Sequence, residues 1–173
     1  MHKQHLQLYK LKTMSSRNIL ILGLIVLNII LDQVSKFIVR VDVIAGTQTE
    51  IFGQYFTLHN VENKGAFLGM GSDFSPALRI GLLLVLPIVV LGLVLRHIIK
   101  DKTMNTMTLV GFCCIIGGGI ANVYDRIIYG SVTDFLHIDL GGVFRTGIFN
   151  LADVSVMVGM GCLIVGGLKT KKA

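Results

Sequence analysis

Residues 19–39 read ILILGLIVLNIILDQVSKFIV, and this stretch decides the class of fold. About 30 Å of hydrocarbon takes roughly 20 apolar residues to cross as a helix, and this run has that length. It also holds Asp32 and Lys36. A carboxylate at membrane depth carries a desolvation cost of several kcal/mol, so it marks a packed or functional interior rather than a lipid-facing surface. Asn28, Asp32, Ser35 and Lys36 follow i, i+4, i+7, i+8 spacing, which gathers them on one face of a helix. That face must turn toward other helices. Asp32 precedes Lys36 by one turn, the favourable order for an ion pair within a helix. A neutralised pair that fixes packing and a direct role in chemistry both fit this spacing.

Three further segments have the same character: Ala77–Leu95, Asn105–Tyr124 and Ile148–Leu168. The whole chain of 173 residues is 53% hydrophobic and 15% charged, with a mean hydropathy of +0.73. Such values point to bilayer spans, not a soluble core. The expectation is an all-α membrane protein with four transmembrane helices. Residues 1–18 form an N-terminal tail, 19–168 a single membrane domain and 169–173 a basic tail. The net charge of +6 is concentrated at the chain ends and in one short loop, with no basic stripe interleaved with aromatics, so nucleic acid is not the expected partner.

Lys3, Lys10, Lys12 and Arg17 precede the first span, Arg96, Lys100 and Lys102 separate the second from the third, and Lys169, Lys171 and Lys172 follow the fourth. By the positive-inside rule these are cytoplasmic, and the segments Arg40–Pro76 and Arg126–Gly147 face outward. The basic N-terminus imitates a secretory signal. The apolar run nevertheless continues through Asp32 and Lys36 without a small-residue cleavage site, which favours an uncleaved span. Met14 is an alternative start.

In the first outer segment, EIFGQYFTLHN at Glu50–Asn60 partly alternates apolar and polar residues, as short strands at an interface do. A plain loop fits the same pattern. Cys113, Cys114 and Cys162 form neither a metal-type pair nor a disulfide framework, and the five histidines form no zinc motif. In the third span, Gly117, Gly118, Gly119 and Ala121 permit close helix contact, while Asn122, Asp125 and Arg126 gather at its outer end. Arg126 is placed to neutralise a carboxylate there, giving Asp125 and Arg126 a scaffold role beside a site lined by Asn122.

Asp134, in the β-favouring SVTDF, and Asp153, in FNLAD at the mouth of the last helix, have no obvious local base. Two carboxylates brought together do not both ionise easily and tend to share a proton. One then serves as base toward water while the other supports a developing oxyanion. On this reading Asp153, at a helix N-terminus, is the readier base and Asp134 the readier acid. Asn150 and Asp153 also have the spacing of a capping box, a structural role compatible with the chemical one.

DQVSK at Asp32–Lys36, NKGAF at Asn63–Phe67, GGGIANVYDR at Gly117–Arg126, VTDF at Val132–Phe135 and FNLAD at Phe149–Asp153 occur in one order along four spans. Together they resemble the lipoprotein signal peptidases, or signal peptidase II. The resemblance implies a bacterial inner-membrane aspartic endopeptidase. Such an enzyme removes the signal peptide of diacylglyceryl-modified prolipoproteins just before the lipidated cysteine, without a metal or other cofactor. It implies Asp134 and Asp153 as the catalytic pair, with Asp32, Lys36, Asn63, Gly65, Asn122, Asp125, Arg126 and Asn150 supporting them or the substrate. It further implies inhibition by globomycin at the substrate site. Membrane lipids are a further expected partner, and the short strands read at Glu50–Asn60 are expected to form a small periplasmic β element in the first outer loop. Ala121 and Thr133 depart from the family pattern, adding a methyl where helices pack and a hydroxyl beside the presumed acid. The competing readings are a small proton- or cation-coupled transporter using the same carboxylates, and a non-catalytic scaffold.

Overall fold

A computed structural model of the chain describes residues 14–66 and 69–170. Phe67 of the NKGAF motif and the basic residues Lys3, Lys10, Lys12, Lys171 and Lys172 lie outside the described residues. The first helix, α1, spans Ser16–Asp42 and is capped by the Ser15 hydroxyl, which accepts from the Asn18 N–H. The second span is α2 (Pro76–Arg79), a π-helical stretch (Ile80–Val85) and α3 (Leu86–Lys100) in unbroken succession. Helices α4 (Thr106–Tyr129) and α5 (Leu151–Thr170) complete a bundle of four apolar helical segments, each long enough to cross a bilayer. The last begins at Leu151, not Ile148, because Phe149 is drawn into a β-bridge with Leu136 and the Asn150 side chain caps the helix.

The helices alternate in direction. At one end Arg17 of α1 donates to the carbonyls of Ile98 and Asp101, a cation placed on the exposed acceptors at the end of α3. Ile21, Ile25, Ile98, Leu109, Cys113 and Ile116 form the apolar core near that end. Outward-facing surfaces are apolar too, with Leu82, Val85, Leu86, Val89 and Leu93 all more than two-fifths exposed on the second span. A water-soluble chain does not present such a continuous band; a lipid-facing helix does.

The opposite end carries a three-stranded antiparallel sheet in the order β1 (Gln48–Phe52), β2 (Phe56–Asn63), β3 (Val132–Ile138). The partial alternation of Glu50–Asn60 is therefore a hairpin and not a plain loop. The sheet is not confined to the loop between the first two spans: β3 comes from the loop between the third and fourth, pairing Val61 with Asp134 and Asn63 with Val132. The reason is local. Gly130 ends α4 at φ 73°, a left-handed turn that a side chain disfavours, and the chain passes straight into β3 alongside the open edge of β2. Asn60 then ties the sheet to the bundle by donating to the carbonyls of Val39 and Val43 at the end of α1.

Helices α4 and α5 meet through glycine. A Cβ built on Gly111 would lie 2.8 Å from the Gly159 carbonyl oxygen, and one on Gly159 would lie 2.6 Å from that of Gly111. On Gly118 it would run into the Ala152 carbonyl, in the first turn of α5. Ala121, by contrast, is fully buried and accommodated. Gly118→Ala is thus expected to destabilise the fold by about 1–3 kcal/mol, the usual cost of overpacking. Gly23→Ala, with nothing within 4 Å of its Cβ, leaves stability unchanged or slightly improved. Thermal midpoints in detergent check this; equal midpoints for the two variants would refute close α4–α5 contact.

Candidate active site

Three helices and the sheet converge on one group of polar side chains. The first layer is charged and lies wholly inside the bundle. Lys36 is fully buried, with Nζ 2.7 Å from Asp32, 2.8 Å from Asp125 and 2.9 Å from the Asn122 side-chain oxygen. Three acceptors use the three donors of its ammonium group. The ion pair of Asp32 with Lys36 is therefore real, but it belongs to a larger cluster of two carboxylates and two cations. Arg40, one further turn along α1, is 3.3 Å from Asp125 and stacks over Tyr129 at 3.9 Å. Gln33 joins the two carboxylates by donating to both Asp32 and Asp125. Gln33 and Arg40 were not singled out from the sequence, although Arg40 continues the i, i+4 stripe of Asp32 and Lys36.

Arg126 makes no direct ion pair with Asp125 among the described residues. Residues 125 and 126 are about 100° apart around a helix, so Asp125 turns to α1 while Arg126 turns to the loop after β2. There Arg126 donates to the carbonyls of Gly65 and Asn122, at 2.8 and 3.2 Å. Gly65 has to be glycine, because a Cβ would sit 2.5 Å from the backbone of Gly69.

The second layer holds the two remaining aspartates. The bridge between Leu136 and Phe149 folds the chain after β3 back on itself and delivers Asn150 beside Asp134. Asn150, fully buried, donates its amide to Asp134 at 2.6 Å and to Asn122 at 3.2 Å. Its side-chain oxygen accepts the Asp153 N–H at 3.0 Å, and its own N–H donates to the Asp153 carboxylate at 3.2 Å. This reciprocal pair is the capping box anticipated from spacing, and it fixes the orientation of Asp153. The other oxygen of Asp153 accepts from Asn122 at 3.0 Å, and that of Asp134 from Asn63 at 2.8 Å. Asp32 reaches the same helix end, accepting the Ala152 N–H at 2.8 Å.

Asp134 and Asp153 thereby line one cavity of about 220 Å³ with Asn63, Asn122, Arg126 and Asn150. Asp32, Lys36 and Asp125 lie behind it, while Gly65 positions Arg126 at its edge. Thr133 is not beside the acid: alternation along β3 turns its hydroxyl to the other face, where it accepts from Arg40 and donates to Glu62, each at 2.7 Å. Burial pushes the Asp134 carboxyl up to about 6, with the Asp153 charge adding to the rise and the Asn63 and Asn150 amides opposing it. One carboxyl whose proton comes off at about 6, beside another anchored at a helix N-terminus, is suited to general acid and base work on a polar bond.

The signal peptidase (SPase) II family profile matches residues 24–169. The chain is 34% identical over 163 residues to a lipoprotein signal peptidase of Borrelia duttonii, covering 90% of this chain and 95% of that one. It is also 34% identical to the lipoprotein signal peptidase of Pelodictyon phaeoclathratiforme, covering 84% and 88%. Among solved structures it resembles a bacterial membrane enzyme determined by the in meso method at 2.3 Å, with a TM-score of 0.76, 26% identity and coverage of 87% and 88%. A second such structure, at 1.9 Å, gives a TM-score of 0.74 at 25% identity.

The raised Asp134 carboxyl has a consequence for stability. In the unfolded chain the group ionises near 3.8 and in the folded chain at about 6, so the fold binds the extra proton between those values. Its contribution is fully present below 3.8 and is lost as pH rises through about 6. The loss is on the order of 3 kcal/mol at one pKa unit per 1.36 kcal/mol. Asp134→Asn does not titrate, so its stability relative to the native chain should climb across that window. Parallel pH dependences of the two melting midpoints between pH 4 and about 7 would show that Asp134 is not raised.

Proposed function

Since the chain belongs to the signal peptidase II family, we propose that it is an intramembrane aspartic endopeptidase acting on diacylglyceryl-modified prolipoproteins. It cuts the signal peptide just before the lipidated cysteine, and Asp134 and Asp153 are its catalytic pair. The observation that carries this reading is their shared cavity, with Asn150 bonded to both.

The chemistry follows from the two environments. Asp153 begins as the carboxylate, favoured by the first turn of α5. It takes a proton from a water whose oxygen adds to the scissile carbonyl carbon. Asp134 begins protonated and gives its proton to the carbonyl oxygen, so that a neutral tetrahedral diol forms. Asp134 then recovers that proton as the carbonyl re-forms, the carbon–nitrogen bond breaks, and Asp153 passes its proton to the leaving amine. The signal peptide leaves with a free carboxyl end and the lipoprotein with a free amine. Asn63, Asn122 and Asn150 hold the carboxyl groups in place, the Lys36 cluster holds Asn122, and Arg126 closes the cavity's edge. Globomycin would compete for this same cavity.

On this reading the chain lies in the bacterial inner membrane with both termini cytoplasmic and the sheet at the outer boundary. The even number of spans and the basic residues at the end opposite the sheet support this. Reporter fusions at Lys102 and at Asp73 should give opposite localisation signals, and matching signals would sink the arrangement.

The decisive test is cleavage of a lipidated prolipoprotein by purified protein. Asp134→Asn and Asp153→Asn should each lower turnover by at least about a hundredfold while the protein stays folded. The double variant should be hardly worse, since the pair acts as a unit. A transporter would show no cleavage at all in the native chain. Substantial turnover in either folded single variant would assign the chemistry elsewhere, with Asp125 the next candidate.

A further inference from the structure

A second concavity adjoins the carboxylate cavity and is not used by the proposed chemistry. It is a groove of about 400 Å³ at the sheet end of the bundle, walled by Ile80, Leu83 and Ile127 and ringed by Lys64, Arg79 and Arg126. No acidic residue among the described residues lines it. The three cations come from three separate elements: the loop after β2, the end of α2, and α4. Lys64 and Arg79 form no ion pair among the described residues, so their charge is free to meet a ligand. Arg126 gives two of its nitrogens to neutral carbonyls, and its Nε is buried without a hydrogen-bond partner among the described residues.

The wall is built by the π-helical stretch Ile80–Val85, in which the Leu86 N–H reaches back to the Gly81 carbonyl. A π turn holds one residue more than an α turn and so widens the helix locally; such turns recur at functional sites. Here it sets Leu83 between the two concavities and turns Ile80 and Leu84 into the groove. Apolar walls open to the lipid-facing side and cations cluster where the spans end. This pairing of chemistries matches a molecule with an anionic head and hydrocarbon tails.

We propose that this groove is a binding site for one anionic phospholipid, its phosphate held by Lys64, Arg79 and Arg126 and an acyl chain lying along Ile80, Leu83 and Ile127. A zwitterionic lipid brings its own cation into a ring of three and loses the attraction. A soluble anion satisfies the cations and leaves the apolar wall unused. The site goes beyond the peptidase reading and does not depend on it, because its ligand is a bilayer lipid and not the substrate.

The test uses the purified full chain in detergent, titrated with phosphatidylglycerol or with phosphatidylcholine of identical acyl chains and followed by native mass spectrometry. One phosphatidylglycerol per chain should be retained in clear preference to phosphatidylcholine. Lys64→Gln with Arg79→Gln should weaken retention by about fivefold for each cation removed. Lys64→Arg with Arg79→Lys keeps the charge and should keep the lipid. Lys64 is exposed, so Lys64→Gln alone gives the fivefold reading if the double variant does not fold. Equal retention of the two lipids, or undiminished retention by Lys64→Gln, would overturn the proposal. So would displacement of the lipid by inorganic phosphate at similar concentrations, which would assign the cations to a soluble anion.

Discussion

The arrangement depends on a single buried ammonium group. Lys36 has no exposed surface, and every one of its donors ends on a side chain from within the bundle. Breaking a buried charge pair by removing one partner typically costs about 3–5 kcal/mol, because the survivor is left uncompensated. Lys36 is therefore tolerable only where Asp32, Asp125 and Asn122 all meet it, and that requirement fixes the depth of α4 against α1. Asp32 extends the constraint to α5 through the Ala152 N–H. Arg40 balances the second carboxylate and continues to Thr133 on β3. A charge that would be a liability in lipid instead sets the register of three helices and the sheet.

That register is what brings the two aspartates into one cavity. Asp134 is fixed by β3, whose neighbour Thr133 is locked on the opposite face by Arg40 and Glu62. Asp153 is fixed by the first turn of α5, which glycine contacts hold close against α4. Asn150 and Asn122 span the space between, each bonded to two or more of the groups around it. The amides are uncharged, so they orient the carboxyl groups without neutralising them. The cationic groove lies on the far side of Leu83 and Arg126, the two residues that line both concavities.

Much of this was legible in residue order. Spans of about 20 residues, the Asp32 to Lys36 spacing and the Asn150 to Asp153 cap depend on helix geometry within one segment, and periodicity reports that directly. Residue types at Asp134, Asp153 and the asparagines likewise point to carboxyl chemistry before any contact is known. Thr133 shows where this kind of reading stops. Adjacency in sequence placed its hydroxyl beside the acid, but neighbours in a strand face opposite sides, and pairing with β2 turned it away.

What the sequence by itself determined is the set of elements and the family, because apolar length, periodicity and ordered short motifs are properties of the chain read in line. What only the tertiary structure decided is which charges meet. Asp125 pairs with Lys36 and Arg40 instead of Arg126, the sheet recruits β3 from a different loop, and three cations from separate elements surround one apolar groove. The physical reason is that desolvated charges select partners by distance in space, and the distance between residues on different helices is set by packing, which no local spacing encodes.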